Sequence, residues 1–367
     1  MLKKKYRDEA LYIPREKLPE TPKTVAWEAP SNIALVKYWG KKDGQIPINP
    51  SMSMTLSNSH TRTEIHYRKA GSDKGSVSFQ FNGENNHPFV KRVKKYLTRL
   101  KPFFPFLKDL DLFIISHNSF PHSAGLASSA SAMASMALCI CSIEDQLREE
   151  EYSKERFFQK ASYMARIGSG SASRSIYGEF VEWGRHSYGS NEFAYSSSVR
   201  INTQLNFFHD SILITSTQEK KISSSEGHAL MKNHPYREAR INQAVENLDG
   251  IRKALREGNF EEFARITENE ALSLHGLMLS SSPGYLLLND QTMAIIEKIR
   301  NYRKNEGVPV TFTLDAGPNV HVLYPIAAKE KVRTFIEQEL KQHCENGKVI
   351  HDFMGSGPDN LAENKKE

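Results

Sequence analysis

Four short segments place cationic, hydroxyl-bearing or carboxylate side chains where loops meet regular structure. In APSNIALVKYWGKKDGQIPINPSMSMTLS, residues 29–57, Lys37 and Lys41 lie four apart with Tyr38 and Trp39 between them. Two ammonium groups on flexible stems suit a diphosphate as point charges. The tyrosine hydroxyl adds a donor and the tryptophan a wall. A surface turn with solvated lysines is the alternative, and Lys42-Asp43-Gly44 reads as such a turn. In FPHSAGLASSASAMASMALC, residues 120–139, a glycine-containing loop opens a helix free of charged residues. Helix N-termini offer unpaired N–H groups and a positive dipole end to phosphate. Ser128 and Ser129 add hydroxyls there. The G-x-x-x-x-G-K-[ST] pattern is absent, so this is not a Walker A loop, and a core helix of small residues is the competing reading.

In GSGSASRSIYGEFVEWG, residues 168–184, Arg174 stands among small residues, with no nearby acid before Glu179. An arginine so presented suits bidentate binding of a carboxylate or phosphate, and a surface arginine in a flexible linker is the competing reading. In VTFTLDAGPNVHVLYP, residues 310–325, Asp315 ends an alternating strand just before an Ala-Gly-Pro-Asn turn. Such an aspartate either stabilises the turn or orients and deprotonates a hydroxyl for phosphoryl transfer.

The elements that must position these segments mix strands and helices. Residues 61–67, 77–81 and 111–116 alternate as strands do, as do VTFTLD and NVHVLYP. Helical spacing predicts helices near 89–100, 127–142, 152–167, 235–256, 259–280, 288–304 and 328–343. Both halves combine helices with hairpin-like strands, which defines an α+β class in two domains. The expected division is a polar leader over 1–23, domains over 24–205 and 206–355, and a tail over 356–367. The leader carries Pro14, Pro19 and Pro22 and few apolar anchors, so it is expected to be loosely held and dispensable.

The 367 residues are 39% hydrophobic and 25% charged, enough for a large core without disulfide or metal staples. Cys139, Cys141 and Cys344 are too few for a secreted disulfide framework and read as small buried residues. No run has the length and apolarity of a membrane span, and the N-terminus lacks the apolar stretch of a signal peptide. A cytoplasmic location is expected. The net charge of +6 draws anions, but no nucleic-acid motif accompanies it.

Taken together, NIALVKYWGKKD, FPHSAGLASSAS, GSGSASRS and LDAGPN resemble, in order, the signature segments of diphosphomevalonate decarboxylases in the GHMP kinase superfamily. ITSTQEKKISSSEGHAL, residues 214–230, resembles the family's KxVSSxxGM region. The resemblance implies a GHMP kinase-like N-terminal domain, a ferredoxin-like C-terminal domain and an active site in the cleft between them. It implies that ATP phosphorylates a tertiary hydroxyl of mevalonate diphosphate, after which phosphate and carbon dioxide leave. Asp315 would then orient or deprotonate the hydroxyl, and Arg174 would hold the carboxylate. Lys37, Tyr38 and Lys41 would bind the substrate and its diphosphate, with Ser169 and Ser171 lining the site. Ser123, Gly125, Ser128 and Ser129 would contact the ATP phosphates, joined by Ser223 or Ser224. Mg2+ would accompany ATP. The implied partners are the substrate and ATP, with a homodimer as the candidate assembly and neither nucleic acid nor membrane expected. Phosphomevalonate decarboxylase and mevalonate 3-kinase are the sister alternatives, and a non-catalytic binding protein is the remaining one. Departures from the pattern are Ser173, His122, Ser131, the long leader, and Glu179 at a position that is usually glycine. A Glu179 carboxylate reaching Arg174 would compete with substrate.

Overall fold

Thr61, Thr63, Ile65 and Tyr67 are buried in alternation with more exposed neighbours, as expected for one face of a sheet on a core. In the computed structural model they belong to a long strand. The structure describes residues 2–85, 88–120, 128–150, 152–184, 196–198, 205, 208–218 and 222–362. The chain opens with helix α1 (Leu2–Asp8) and strand β1 (Lys23–Val36), followed by the ribbon β2 (Lys41–Lys42) and β3 (Ile46–Pro47). Next come β4 (Ser51–Lys69), β5 (Val77–Phe81), α2 (Phe89–Leu100), β6 (Leu110–Asn118), α3 (Ser128–Leu147), α4 (Lys154–Gly168), β7 (Phe180–Trp183) and β8 (Ser196–Ser198). The second half holds β9 (Phe208–Leu213), α5 (Ser224–Leu230), α6 (Arg237–Glu257), α7 (Phe260–Leu279) and α8 (Asp290–Glu306). It continues through β10 (Thr311–Leu314), β11 (Val320–Pro325), α9 (Lys329–Phe335), β12 (Val349–Phe353) and β13 (Asp359–Asn360).

The first sheet runs β13-β1-β4-β6-β5, with β7 on the other part of β4 and β8 on β7. Its buried face meets α3 through paired hydroxyls. Thr61 Oγ1 lies 2.6 Å from Ser131 Oγ, and Thr63 Oγ1 lies 2.7 Å from Ser135 Oγ. Residues two apart on a strand and four apart on a helix both repeat at roughly 6–7 Å, so the two rows match. Small residues on α3 therefore let the helix seat directly on the sheet, and its body is structural. Cys139, Cys141 and Cys344 are buried and unpaired, and burial pushes their thiols up.

The second sheet is antiparallel in the order β10-β11-β9-β12. Read by chain order its strands stand 2-3-1-4, the ferredoxin-like arrangement the resemblance implied. Two apolar clusters flank it, one including Leu248, Ile251 and Phe263, the other Ile295, Ile299 and Val332. The α+β class with two sheets is as expected.

The ends of the chain differ from expectation. The leader is not loose: Tyr6, Ile13 and Leu18 are 3%, 7% and 2% exposed and join the core cluster of the first domain. Sparse apolar residues sufficed because each finds a slot, Tyr6 packing on Tyr163 at 4.9 Å between ring centroids. In the tail, β13 pairs with β1 through Trp27–Asn360 and Glu28–Asp359, so residues after 355 return to the first sheet.

Candidate active site

The site forms where β1 ends. A register irregularity between Ala34 and Val36 turns the backbone so that the Ala34 carbonyl faces the second domain. That oxygen accepts from Lys37 Nζ at 2.5 Å and from Thr313 Oγ1, on β10, at 3.4 Å. The end of β10 is thus fastened to the end of β1, and the next residue but one is Asp315. Lys37 Nζ lies 3.6 Å from Asp315 Oδ1, with side-chain exposures of 2% and 29%. Lys37 was expected to meet the substrate diphosphate, with a solvated surface lysine as the alternative. It is instead a buried lysine beside the carboxylate, because its backbone is clamped on the core side.

That clamp was not foreseen. The Lys37 N–H donates to Glu270 Oε2 at 2.8 Å, and its carbonyl accepts from Asn49 Nδ2 at 2.8 Å and Arg240 Nη2 at 3.0 Å. Arg240 holds Glu270 through Nη1 and Nη2 at 2.7 and 2.6 Å, and Asn247 Nδ2 adds a contact at 2.6 Å. The available signal was positional. Arg240 shares the buried stripe of Ala244, Leu248, Ile251 and Leu255, where a charge is costly without a partner.

Arg174 is brought to the same place by the short turn after α4. It is buried at 2% exposure. Its Nε and Nη1 donate to Ser53 Oγ at 3.0 Å and Ser51 Oγ at 2.7 Å, and Nη2 to Asn32 Oδ1 at 3.4 Å. Neutral partners fix the guanidinium without discharging it. Burial lowers its proton affinity to about 10, against the pull of Asp315 and then Tyr38. Lys37 falls to about 8, chiefly through burial and opposed first by Asp315 and then Glu270. Glu179 does not occupy Arg174. It is exposed at a left-handed turn with φ of 60°, its peptide joined to Thr55 and Gly355. The backbone geometry accounts for glycine as the usual residue there.

Tyr38 lies edge-on to Trp183 at 4.8 Å between ring centroids, and burial raises its phenol. Its hydroxyl is buried with no partner among the described residues. A Cβ on Gly170 would stand 2.6 Å from that oxygen, so the turn approaches the phenol as closely as glycine permits. Trp39 is buried and packs on His228 instead of presenting an open wall.

Ser129 Oγ lies 3.3 Å from Ser169 Oγ, joining the first turn of α3 to the end of α4. Ser128 is half-buried at the same helix end, and Ser171 is half-buried with its carbonyl accepting from Asn32 Nδ2 at 3.4 Å. Lys41 is half-buried on β2, its proton affinity lowered by burial and by Arg92 and Arg99. Ser123 and Gly125 lie outside the described residues. Ser223 and Ser224 are exposed. Ser223 caps α5, its Oγ accepting from Glu226 N at 3.3 Å while Glu226 Oε2 accepts from Ser223 N at 2.8 Å. Its hydroxyl therefore already has a structural task.

His228 also escaped the sequence reading. Its ring sits 4.4 Å from Tyr38 and 4.6 Å from Trp39, and Nδ1 accepts from Gly40 N at 2.8 Å. The signal was the mismatch of SSSEGH, ending at His228, with the methionine that closes KxVSSxxGM.

A lysine and an arginine from one domain converge on an aspartate from the other, over a first sheet backed by α3 and α4 and a ferredoxin-like second sheet. This is a GHMP kinase-like protein. Residues 29–194 match the diphosphomevalonate decarboxylase-like N-terminal domain, and residues 211–366 the mevalonate 5-diphosphate decarboxylase C-terminal domain. The chain belongs to the diphosphomevalonate decarboxylase family. It is 31% identical to the diphosphomevalonate decarboxylase of Ganoderma lucidum, over 89% of this chain and 84% of that one. It is also 31% identical to that of Saccharomyces cerevisiae, over 85% and 81%. The crystal structure of mevalonate diphosphate decarboxylase from Staphylococcus aureus matches with a TM-score of 0.80 at 29% identity, covering 93% of this chain and 98% of that one. MDDEF in complex with MVAPP, AMPPCP and magnesium matches with a TM-score of 0.79 at 28% identity, covering 93% and 99%.

Proposed function

We propose that this chain catalyses the ATP-dependent decarboxylation of mevalonate diphosphate to isopentenyl diphosphate, with release of ADP, phosphate and carbon dioxide. The observation that carries the reading is the Lys37–Asp315 ion pair at the junction of the domains, with Arg174 held on Ser53, the strand partner of the Ala34 that Lys37 Nζ also contacts. Asp315 is the most exposed of the three and stands where a substrate hydroxyl can meet it. Its carbonyl accepts from His275 Nε2 at 3.0 Å, which steadies the turn that carries it. Asp315 orients the tertiary hydroxyl towards the γ-phosphate and takes its proton; in phosphoryl transfer such placement counts for more than full deprotonation. Lys37 beside it adds positive charge near the transferring group.

Arg174 holds the substrate carboxylate through whatever donor capacity its serine partners leave. Departure of phosphate builds positive charge at the tertiary carbon, and the electrons of the breaking carbon–carboxylate bond fill it. The arginine must therefore orient the carboxylate without stabilising it strongly. Tyr38 Oη supplies a hydrogen bond from the buried side, and Lys41 meets the diphosphate. Ser128, Ser129, Ser169 and Ser171 supply hydroxyls for nucleotide or substrate oxygens.

Among the described residues no three His, Cys, Asp or Glu gather into a cage. The magnesium ion proposed with ATP would be carried by nucleotide phosphates and water, as is usual for this ion. When bound it neutralises charge on the phosphates. No described helix is long and apolar enough to cross a membrane, and the partners proposed are the substrate and ATP. The proposed domains are 24–205 and 206–355, with the leader and β13 packed on the first.

The test is a coupled assay of ADP and carbon dioxide with magnesium-ATP and mevalonate, its monophosphate or its diphosphate. Equal release of both products with the diphosphate alone is expected. ADP without carbon dioxide identifies a 3-kinase, and no turnover with any of the three overturns the reading.

A further inference from the structure

His228 is 8% exposed, and its imidazole is held on three sides. Tyr38 and Trp39 pack against its faces, and the Gly40 N–H donates to Nδ1. That bond fixes the tautomer. A ring accepting at Nδ1 carries its proton on Nε2, and a doubly protonated ring would set N–H against N–H. Burial, with Lys41 and then Arg174, pushes the imidazole down to about 3, in keeping with a neutral ring. Nε2 has no protein acceptor among the described residues, yet it is not among the fully enclosed polar atoms that lack a partner. The ring is thus a rigid neutral donor packed against Tyr38, a residue assigned above to the substrate, and fastened to Gly40 next to Lys41.

We propose that His228 is a substrate-binding residue whose Nε2–H donates to an oxygen of the phosphorylated hydroxy acid on the side of the site lined by Tyr38. The inference rests on the substrate reading above and extends it to a residue on α5. A neutral donor suits this position. It adds a hydrogen bond to an anionic ligand without a further positive charge beside two existing cations. Its tilted packing on Tyr38 and Trp39 also couples substrate contact to the placement of Tyr38.

Three variants separate binding from packing. His228→Asn keeps an acceptor near Nδ1 for Gly40 but removes the far donor. His228→Phe keeps the stack and removes both nitrogens. His228→Gln places an amide donor near the Nε2 position. KM values for mevalonate diphosphate and ATP are measured with melting temperature on each preparation. The Asn and Phe variants are expected to raise KM for mevalonate diphosphate roughly 10- to 100-fold, the loss associated with a hydrogen bond to a charged group. KM for ATP should stay within about twofold, and Gln should recover most of the loss. Should Phe not fold, Asn against Gln carries the comparison. A folded Asn variant with unchanged KM overturns the proposal, as does a parallel rise in both KM values or a Gln variant no better than Asn. A wild-type protein that turns over no mevalonate derivative overturns the substrate reading itself. An active wild type with unaffected variants overturns only the role of His228.

Discussion

At the scale of single residues, the chemistry divides between Asp315 and its two cations. Asp315→Asn keeps the shape and loses the proton acceptor, so turnover should fall about 10²- to 10⁴-fold with nucleotide affinity retained. Arg174→Gln should lower turnover through lost orientation, again with ATP affinity near normal. Folded variants of both kinds with wild-type turnover would move the chemistry elsewhere. Lys37 adds a pH signature. Its folded value of about 8 lies below the ordinary 10.5. Below about 8 the ammonium is charged in both folded and unfolded chains, and its burial cost is fully present. Between the two values the unfolded chain binds more protons, so this group makes stability rise with pH. Activity moves the other way, because the ammonium is lost. We expect kcat/KM to decline above about pH 8, and Lys37→Arg to move that limb upward. An identical limb in the variant would clear Lys37 of the role. These residues were legible because each interrupts an apolar or small-residue run with a charge. Arg240 and Glu270 were not, because their partnership spans two helices and only the fold makes them neighbours.

At the scale of elements, most strands and helices follow from periodicity, whereas the leader shows its limits. A count of apolar residues predicts a loose segment; the structure seats Tyr6, Ile13 and Leu18 in the core. Burying one such side chain contributes about 1.5–3 kcal/mol. A chain beginning at Thr24 should therefore melt clearly lower than the full one, and equal melting temperatures would return the leader to the dispensable class. Glu179 is the converse case, a residue whose type conflicts with its backbone. A non-glycine residue in the left-handed region costs roughly 1 kcal/mol. Glu179→Gly should leave stability unchanged or raised, with turnover intact because the side chain is exposed and unpaired with Arg174. A fall in either would reveal a contact that the turn geometry does not require. The position was flagged in the sequence by its departure from pattern, but the reason, φ of 60°, is visible only in the structure.

At the scale of the whole molecule, the Asp352 carboxylate on β12 ties the second sheet to the first. Asp352 Oδ1 accepts from the backbone of Ser57 at 3.0 Å and Asn58 at 2.7 Å, and Oδ2 from Ser59 at 2.8 Å. Asp352→Ala would leave these N–H groups without their acceptor, each costing about 1–3 kcal/mol where water cannot replace it. A melting temperature lowered by several degrees is expected, with a broadened transition if the domains begin to unfold separately. An unchanged melt would mean that the other contacts of the junction, among them the Lys37–Glu270 and Thr313–Ala34 bonds, hold it without Asp352. No sequence pattern marks Asp352, because its partners are backbone groups almost 300 positions away.

The pairing of β13 with β1 has a consequence for biosynthesis. The edge of β1 that receives residues 359–360 is made early, and its cover is made more than 300 residues later. Until then the nascent chain carries an uncovered strand edge, the kind of template that recruits other chains. A translation product stopped near residue 355 would keep that edge open permanently. Such a product should aggregate during synthesis in proportion to how slowly the second half is made, although every residue of the Lys37–Arg174–Asp315 cluster is already in it.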